Sequence, residues 1–152
     1  MGTDPQESVR YKRSRFSTRL PAERLYTASH FWLASQMPEV WRVGFTKFAT
    51  RMLGELVEYG FEVKNGDAVQ VGQIIGWVEG FKAASDLFCV VAGEFQGENP
   101  DLESDVGLVQ SDPYGKGWLY KVKGTPEADS VDVHGYVAIL DATITKIQGS
   151  QE

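Results

Sequence analysis

Apolar residues in this chain fall in short runs cut by glycines and polar pairs. Gly44, Gly54, Gly60, Asn65-Gly66, Gly72, Gly76, Gly80, Gly93 and Gly97 punctuate the middle of the chain, and Val, Ile, Phe and Trp fill the stretches between them. This spacing predicts many short strands joined by tight turns. Residues 30–34 (HFWLA) and 41–45 (WRVGF) read as a strand pair connected through 35–40. Residues 55–59, 73–79 (QIIGWVE), 87–91 (LFCVV) and 118–122 read as further strands, with 81–85 as the connection of a hairpin. Asn65-Gly66 is a tight-turn pair, and Asp112-Pro113-Tyr114-Gly115 a second turn.

Three places switch to helical spacing. Thr46 is suited to cap a short helix through Leu53, with Phe48, Met52 and Leu53 on one side and Gly54 as its stop. Asn99-Pro100 has the cap and first-turn proline of a helix start. Over residues 132–148, Tyr136, Ile139, Leu140, Ile144 and Ile147 recur at helical intervals, and Gly149 follows as a stop.

Composition narrows the class. The 152 residues, 42% apolar and 24% charged, suffice for one domain with a hydrophobic core. No apolar run approaches a membrane-spanning length, and the N-terminus has no secretory apolar centre, so a cytoplasmic protein is expected. Cys89 is the single cysteine and cannot form an internal disulfide; flanked by Phe88 and Val90, it reads as a buried, inert thiol.

Charge is unevenly spread. Arg10, Lys12, Arg13, Arg15 and Arg19 supply five of the fifteen basic residues, against Asp4 and Glu7 in the same stretch. From residue 20 onward ten basic residues face nineteen acidic ones, a net −9. Such a body repels nucleic acid, so no nucleic-acid partner and no membrane are expected, while the basic stretch itself could touch RNA, a membrane surface or an acidic partner. Residues 1–20 read as a basic, flexible extension, and 21–152 as a single domain with its C-terminal helix at about 132–148.

The stretch "VEGFKAASDL" sets one lysine, Lys82, at a predicted hairpin tip with no other charge within two residues. Val78, Glu79, Lys82, Ala83, Ser85, Asp86 and Leu87, followed by Gly93-Glu94, resemble the lipoyl-attachment segment of the glycine cleavage system H protein family. "LYTASHFWL", "VGFTKFATRMLGE", "NPDL" and "SDPYGKGWLYKVKG" resemble further blocks of that family, in the same order and at compatible spacing. The resemblance runs from Leu25 to about Gly124.

It implies a mainly β fold: a lipoyl-type flattened barrel, or barrel-sandwich hybrid, with a few peripheral helices. It also implies lipoate in amide linkage on Lys82, with Glu79, Ala83, Ser85, Asp86 and His30 as candidates for recognising the arm. A free lysine amine, with a pKa of about 10.4, is protonated at neutral pH, so a lipoate ligase or lipoyl transferase must bind the tip and deprotonate it. Small neighbours such as Ala83 and Ala84 suit that approach. By the same resemblance the chain is a non-catalytic carrier shuttling an aminomethyl group and electrons. Its partners would be a PLP-dependent glycine decarboxylase, a folate-dependent aminomethyltransferase and dihydrolipoamide dehydrogenase. No nucleophile–base pair and no metal cluster stand out in the sequence.

The chain also departs from the family. Ser-His-Glu-Trp is Ser29-His30-Phe31-Trp32 here, and the lost acid is associated in the family with the cleft that shelters the loaded arm. Gly80-Phe81 replaces Ser-Val before the lysine, and Lys47 takes an acidic position. His30 reads as a packed or hydrogen-bonded core residue, and His134 as a surface residue. These departures keep two other readings open: a specialised lipoate carrier for another thiol-bound intermediate, for example in sulfur oxidation, and an unlipoylated binding module.

Overall fold

Alternating apolar positions pair the short runs into three antiparallel sheets. The computed structural model describes residues 7–150. In chain order the strands are β1 (Ser8–Arg13), β2 (Phe16–Pro21), β3 (Leu25–Tyr26), β4 (Phe31–Met37), β5 (Val40–Phe45), β6 (Leu56–Phe61), β7 (Ala68–Val69), β8 (Ile74–Gly80), β9 (Ala84–Phe88), β10 (Val91–Glu98) and β11 (Tyr120–Pro126). The helices are α1 (Lys47–Leu53), α2 (Leu108–Ser111) and α3 (Val133–Ser150), with a 3-10 turn at Pro100–Leu102. A six-stranded sheet runs β3-β4-β5-β11-β10-β7, a three-stranded sheet β6-β8-β9, and β1-β2 pair alone.

The two larger sheets enclose the first core. Period-two alternation sends Phe31, Leu33, Val43, Phe45, Phe95 and Val122 of the six-stranded sheet inward to meet Leu56, Ile75, Val78 and Leu87. The same alternation turns Trp32 to the other face, into a second core with Tyr26, Phe48, Trp118, Tyr136, Leu140 and Ile144. Gly44 permits this, because a Cβ there would lie 2.5 Å from the Trp32 ring. The Trp32 Nε1–H donates to the Pro113 carbonyl at 2.9 Å.

The barrel-sandwich architecture and its peripheral helices agree with the expected fold class. Several local expectations change. The run 87–91 is two elements: Phe88 ends β9, and Val91 begins β10 in the other sheet. Between them the chain crosses the core, so Cys89, Val90 and Val91 are all buried with no alternation. Cys89 N–H donates to Gln73 O and Val90 N–H to the Tyr120 hydroxyl, which satisfies the backbone during the crossing. The third helix begins with the Asp132 carboxylate accepting from Gly135 N at 2.8 Å and runs through Gly149, which is no stop.

The largest change is at the N-terminus. Residues 8–21, expected as part of an extension, form a β-hairpin. Tyr11, Phe16 and Leu20 on its inner face are buried in the second core, and that burial holds it in place. Residues 1–6 lie outside the described residues.

Candidate functional site

The connection between β8 and β9 is three residues, Phe81–Ala83, shorter than the expected 81–85, because β9 already begins at Ala84 opposite Glu79. Gly80 N–H donates to Ala83 O at 2.9 Å and closes the turn. The tip is also tied by its backbone to the segment after α1. Phe81 N–H donates to Glu55 O at 3.0 Å, and Lys82 and Ala83 N–H both donate to Leu53 O, at 2.9 and 3.3 Å.

Two glycines make this approach possible. A Cβ on Gly80 would lie 2.2 Å from Leu53 O. Gly54, with φ at 76°, ends α1 in a conformation that suits glycine and leaves room for the Lys82 side chain. Thr46 starts that helix as expected, its Oγ1 accepting from Ala49 N. The lysine thus projects from a turn with a fixed backbone. Its side chain is exposed, with Nζ 3.4 Å from the Arg51 carbonyl.

Beside the tip lies a cleft of about 300 Å³. Phe48, Ala49 and Met52 of α1 form one wall, and Ala83–Asp86 with Phe88 the other. His30, Phe31 and Phe45 form its floor, Phe31 stacked on Phe45 at 5.2 Å and only 2% exposed. The cleft is mostly apolar, with Ser29, His30, Ser85 and Asp86 as its polar lining.

His30 links this cleft to the second core. Its Nδ1 shares a 2.8 Å hydrogen bond with the Tyr136 hydroxyl, which lies 2.7 Å from Thr46 Oγ1. The ring packs against Phe48 at 4.6 Å. Burial without a charged partner lowers the imidazole pKa to about 4, so the ring is neutral at pH 7. The reading of His30 as a hydrogen-bonded, packed residue therefore agrees with the structure, and the residue also reaches the cleft.

The structure brings Ala83, Ser85, Asp86 and His30 to one cleft beside Lys82. Glu79, exposed on β8 and paired with Ala84, lines with Trp77 an adjoining depression that shares Ser85, Asp86 and Phe88 with the cleft. Asp86 belongs to β9 opposite Trp77 and is not part of the turn. Met52 and Phe88 are cleft residues that sequence reasoning missed; they are 51% and 36% exposed, so exposure of large apolar side chains was their mark. Cys89 is buried as expected, its thiol 2.9 Å from Val91 O and its pKa pushed up by burial. No helix among the described residues is long and apolar enough to cross a membrane.

A family model described as glycine cleavage H-protein matches residues 24–138. The chain is similar to the glycine cleavage system H protein of Bacteroides fragilis, 38% identical over 125 residues, 80% of this chain and 98% of the relative. It is 37% identical to that of Mycobacterium bovis over 128 residues, 84% of this chain and 89% of the relative. Among solved structures, a glycine cleavage system H protein from Mycobacterium marinum superposes with a TM-score of 0.70 at 33% identity, covering 78% of this chain and 97% of that one. The match begins at residue 24, after the β1–β2 hairpin, and stops at 138, inside α3.

Proposed function

The chain belongs to the glycine cleavage H-protein family, and on that premise we propose that Lys82 carries lipoate and that the protein is the carrier subunit of a multienzyme system. The observation that carries this reading is the tip geometry: one exposed lysine on a turn whose backbone is hydrogen-bonded to Leu53 and Glu55. A modifying ligase or transferase can reach the amine past Ala83 and Ala84, which present no bulk. The cleft suits the group as well, since its apolar walls match a hydrocarbon chain ending in a ring of sulfur and carbon. When attached, lipoate supplies thiol–disulfide exchange and holds the transferred group. The protein's own part is mechanical. The anchored turn fixes the root of the arm, Phe48, Met52 and Phe88 keep water from one face of it, and His30, Ser85 and Asp86 offer the nearby polar atoms.

The partners that fit this reading are those of the family: a PLP-dependent glycine decarboxylase, a folate-dependent aminomethyltransferase and dihydrolipoamide dehydrogenase. The chain would shuttle an aminomethyl group and electrons between them. The test is the intact mass of protein from its native host. The expected result is one added lipoyl group that disappears in Lys82→Arg. An unmodified mass, or a lipoyl group that survives in Lys82→Arg, overturns the assignment and favours the unlipoylated binding module.

One observation favours a second reading of the cargo. Phe31 stands where the family has an acid, and it lies on an apolar cleft floor. A cationic amine sheltered there has Asp86 as the lone carboxylate on the lining. This favours an uncharged or anionic thiol-bound cargo. Lipoylated protein offered to a glycine decarboxylase separates the two readings: bicarbonate exchange into glycine at the rate of a family member supports the aminomethyl cargo, and failure of exchange supports the other.

A further inference from the structure

Residues 8–21 and 139–150 both lie outside the family match, and they pack on each other. Tyr11 Oη–H donates to the Asp141 carboxylate at 2.7 Å, Arg13 donates to the Asp141 carbonyl, and Gln148 Nε2–H donates to Ser14 Oγ at 2.6 Å. The hairpin and the end of α3 thus form one unit outside the segment that the family model matches.

The charges on the outer face of the hairpin are all basic. Arg10, Lys12, Arg15 and Arg19 are exposed, and residues 8–21 contain no acid. Arg10 lies directly opposite Arg19 across the hairpin. Like charges so placed weaken a strand pair, and the hairpin, held by the burial of Tyr11, Phe16 and Leu20, has no acid beside them. An anionic counterpart outside the chain would relieve that repulsion.

The unit also reaches the Lys82 tip through Arg51. Arg51 of α1 donates to Arg15 O at 3.4 Å, and its guanidinium lies 5.8 Å from the Phe16 ring. The carbonyl of the same Arg51 accepts from Lys82 Nζ at 3.4 Å. Between the hairpin tip, α1 and α3 runs a groove of about 440 Å³ with Phe16, Phe48, Met52, Ile144 and Ile147 along it and Arg13, Arg15 and Arg51 at its rim. Phe48 and Met52 line the arm cleft too, so groove and cleft adjoin.

We infer that the hairpin and this groove are a docking surface for an acidic protein face bearing an apolar side chain. The basic rim supplies charge complementarity and steering. The apolar floor takes a side chain that a free polyanion lacks. The rest of the chain is net −9, so a long nucleic acid would run off the patch into repulsion, whereas a compact acidic face would not. That the docked protein works on the arm rests on the proposed function; the docking itself needs no lipoate.

The test uses the full chain carrying Lys82→Arg, so that it reads independently of lipoylation. The probe is a nitroxide-labelled amphipathic peptide of leucines and glutamates. Short single-stranded DNA and phosphatidylserine vesicles are the competing probes. The expected result is salt-sensitive peptide binding that broadens the amide signals of Arg15, Phe48 and Met52. Lys12→Glu with Arg15→Glu should weaken it by about tenfold or more while leaving the melting temperature nearly unchanged, since both side chains are exposed. Absence of peptide binding, binding unaffected by the double reversal, broadening centred elsewhere, or tighter binding of the DNA or vesicles would overturn the proposal.

Discussion

Two hairpin tips meet the end of α1, and they are held there by different means. The β8–β9 tip is fastened by backbone, with three N–H groups donating to Leu53 and Glu55 carbonyls. The β1–β2 tip is fastened by side chains: Phe16 against Phe48 at 5.5 Å, Arg51 on the Arg15 carbonyl, and Gln148 on Ser14. Backbone fastening needs glycine on both sides and places one residue at a defined point, whatever its side chain. Side-chain fastening places no single atom as well, but it leaves the outward positions free to accumulate charge. The first suits a covalent attachment site and the second a surface that attracts.

Breaking the backbone fastening should have the largest effect. Val at position 80 would push a Cβ to 2.2 Å from Leu53 O, so either the tip or α1 must move. Overpacking costs about 1–3 kcal/mol, and the detached tip loses hydrogen bonds worth about 1 kcal/mol each. Gly80→Val is therefore expected to lose about 4 kcal/mol in urea unfolding. Its rate of lipoylation by a lipoate ligase should fall by about tenfold or more. A variant of wild-type stability that is lipoylated at the normal rate would show that the anchoring hydrogen bonds do not position Lys82.

His30 lies between the two hairpins, on the cleft and on Phe48, and its titration sharpens the comparison. Its folded pKa is about 4, below the 6.5 of an exposed histidine. As pH falls, the unfolded chain takes up the proton first. The stability His30 confers is thus whole above pH 6.5 and is lost progressively as pH falls toward 4, a total of about 3 kcal/mol. His30→Asn removes the titration and tolerates the left-handed backbone at this position, where φ is 70°. Its stability should fall less steeply than that of the wild type between pH 6.5 and 4; parallel curves would refute the buried neutral ring.

The contrast between the tips also explains what was legible in the sequence. The barrel strands, the Thr46 cap and the place of Lys82 on a hairpin tip follow from local alternation and one capping threonine. Glu79 lines the adjoining depression and not the cleft itself, and a linear motif hides which face of a strand each residue takes. In sequence the basic hairpin reads as a tail because its five charges outweigh the alternation of Phe16, Thr18 and Leu20, whose burial depends on a helix more than a hundred residues away. Met52 and Phe88 escaped for a related reason: an exposed apolar residue gains meaning only when the opposite wall of the cleft is known.

The smallest expected effect separates a hairpin kept for stability from one kept for its charge. Arg10 and Arg19 are directly opposed, so Arg19→Glu replaces a like-charge pair with an opposite-charge pair in the same register. Cross-strand pairs of this kind differ by about 0.2–1 kcal/mol, and both side chains are exposed, so thermal unfolding should show a gain near about 0.5 kcal/mol that shrinks in high salt. The same substitution removes positive charge from the face proposed to dock an acidic protein, so binding of the leucine–glutamate peptide should weaken as stability rises. Opposite signs in the two measurements are the signature of charge retained against the fold's own interest. A variant that loses stability would mean that the Arg10–Arg19 pairing carries some support the hairpin geometry does not display, and one that gains stability without losing peptide binding would detach the hairpin's outer face from the docking surface.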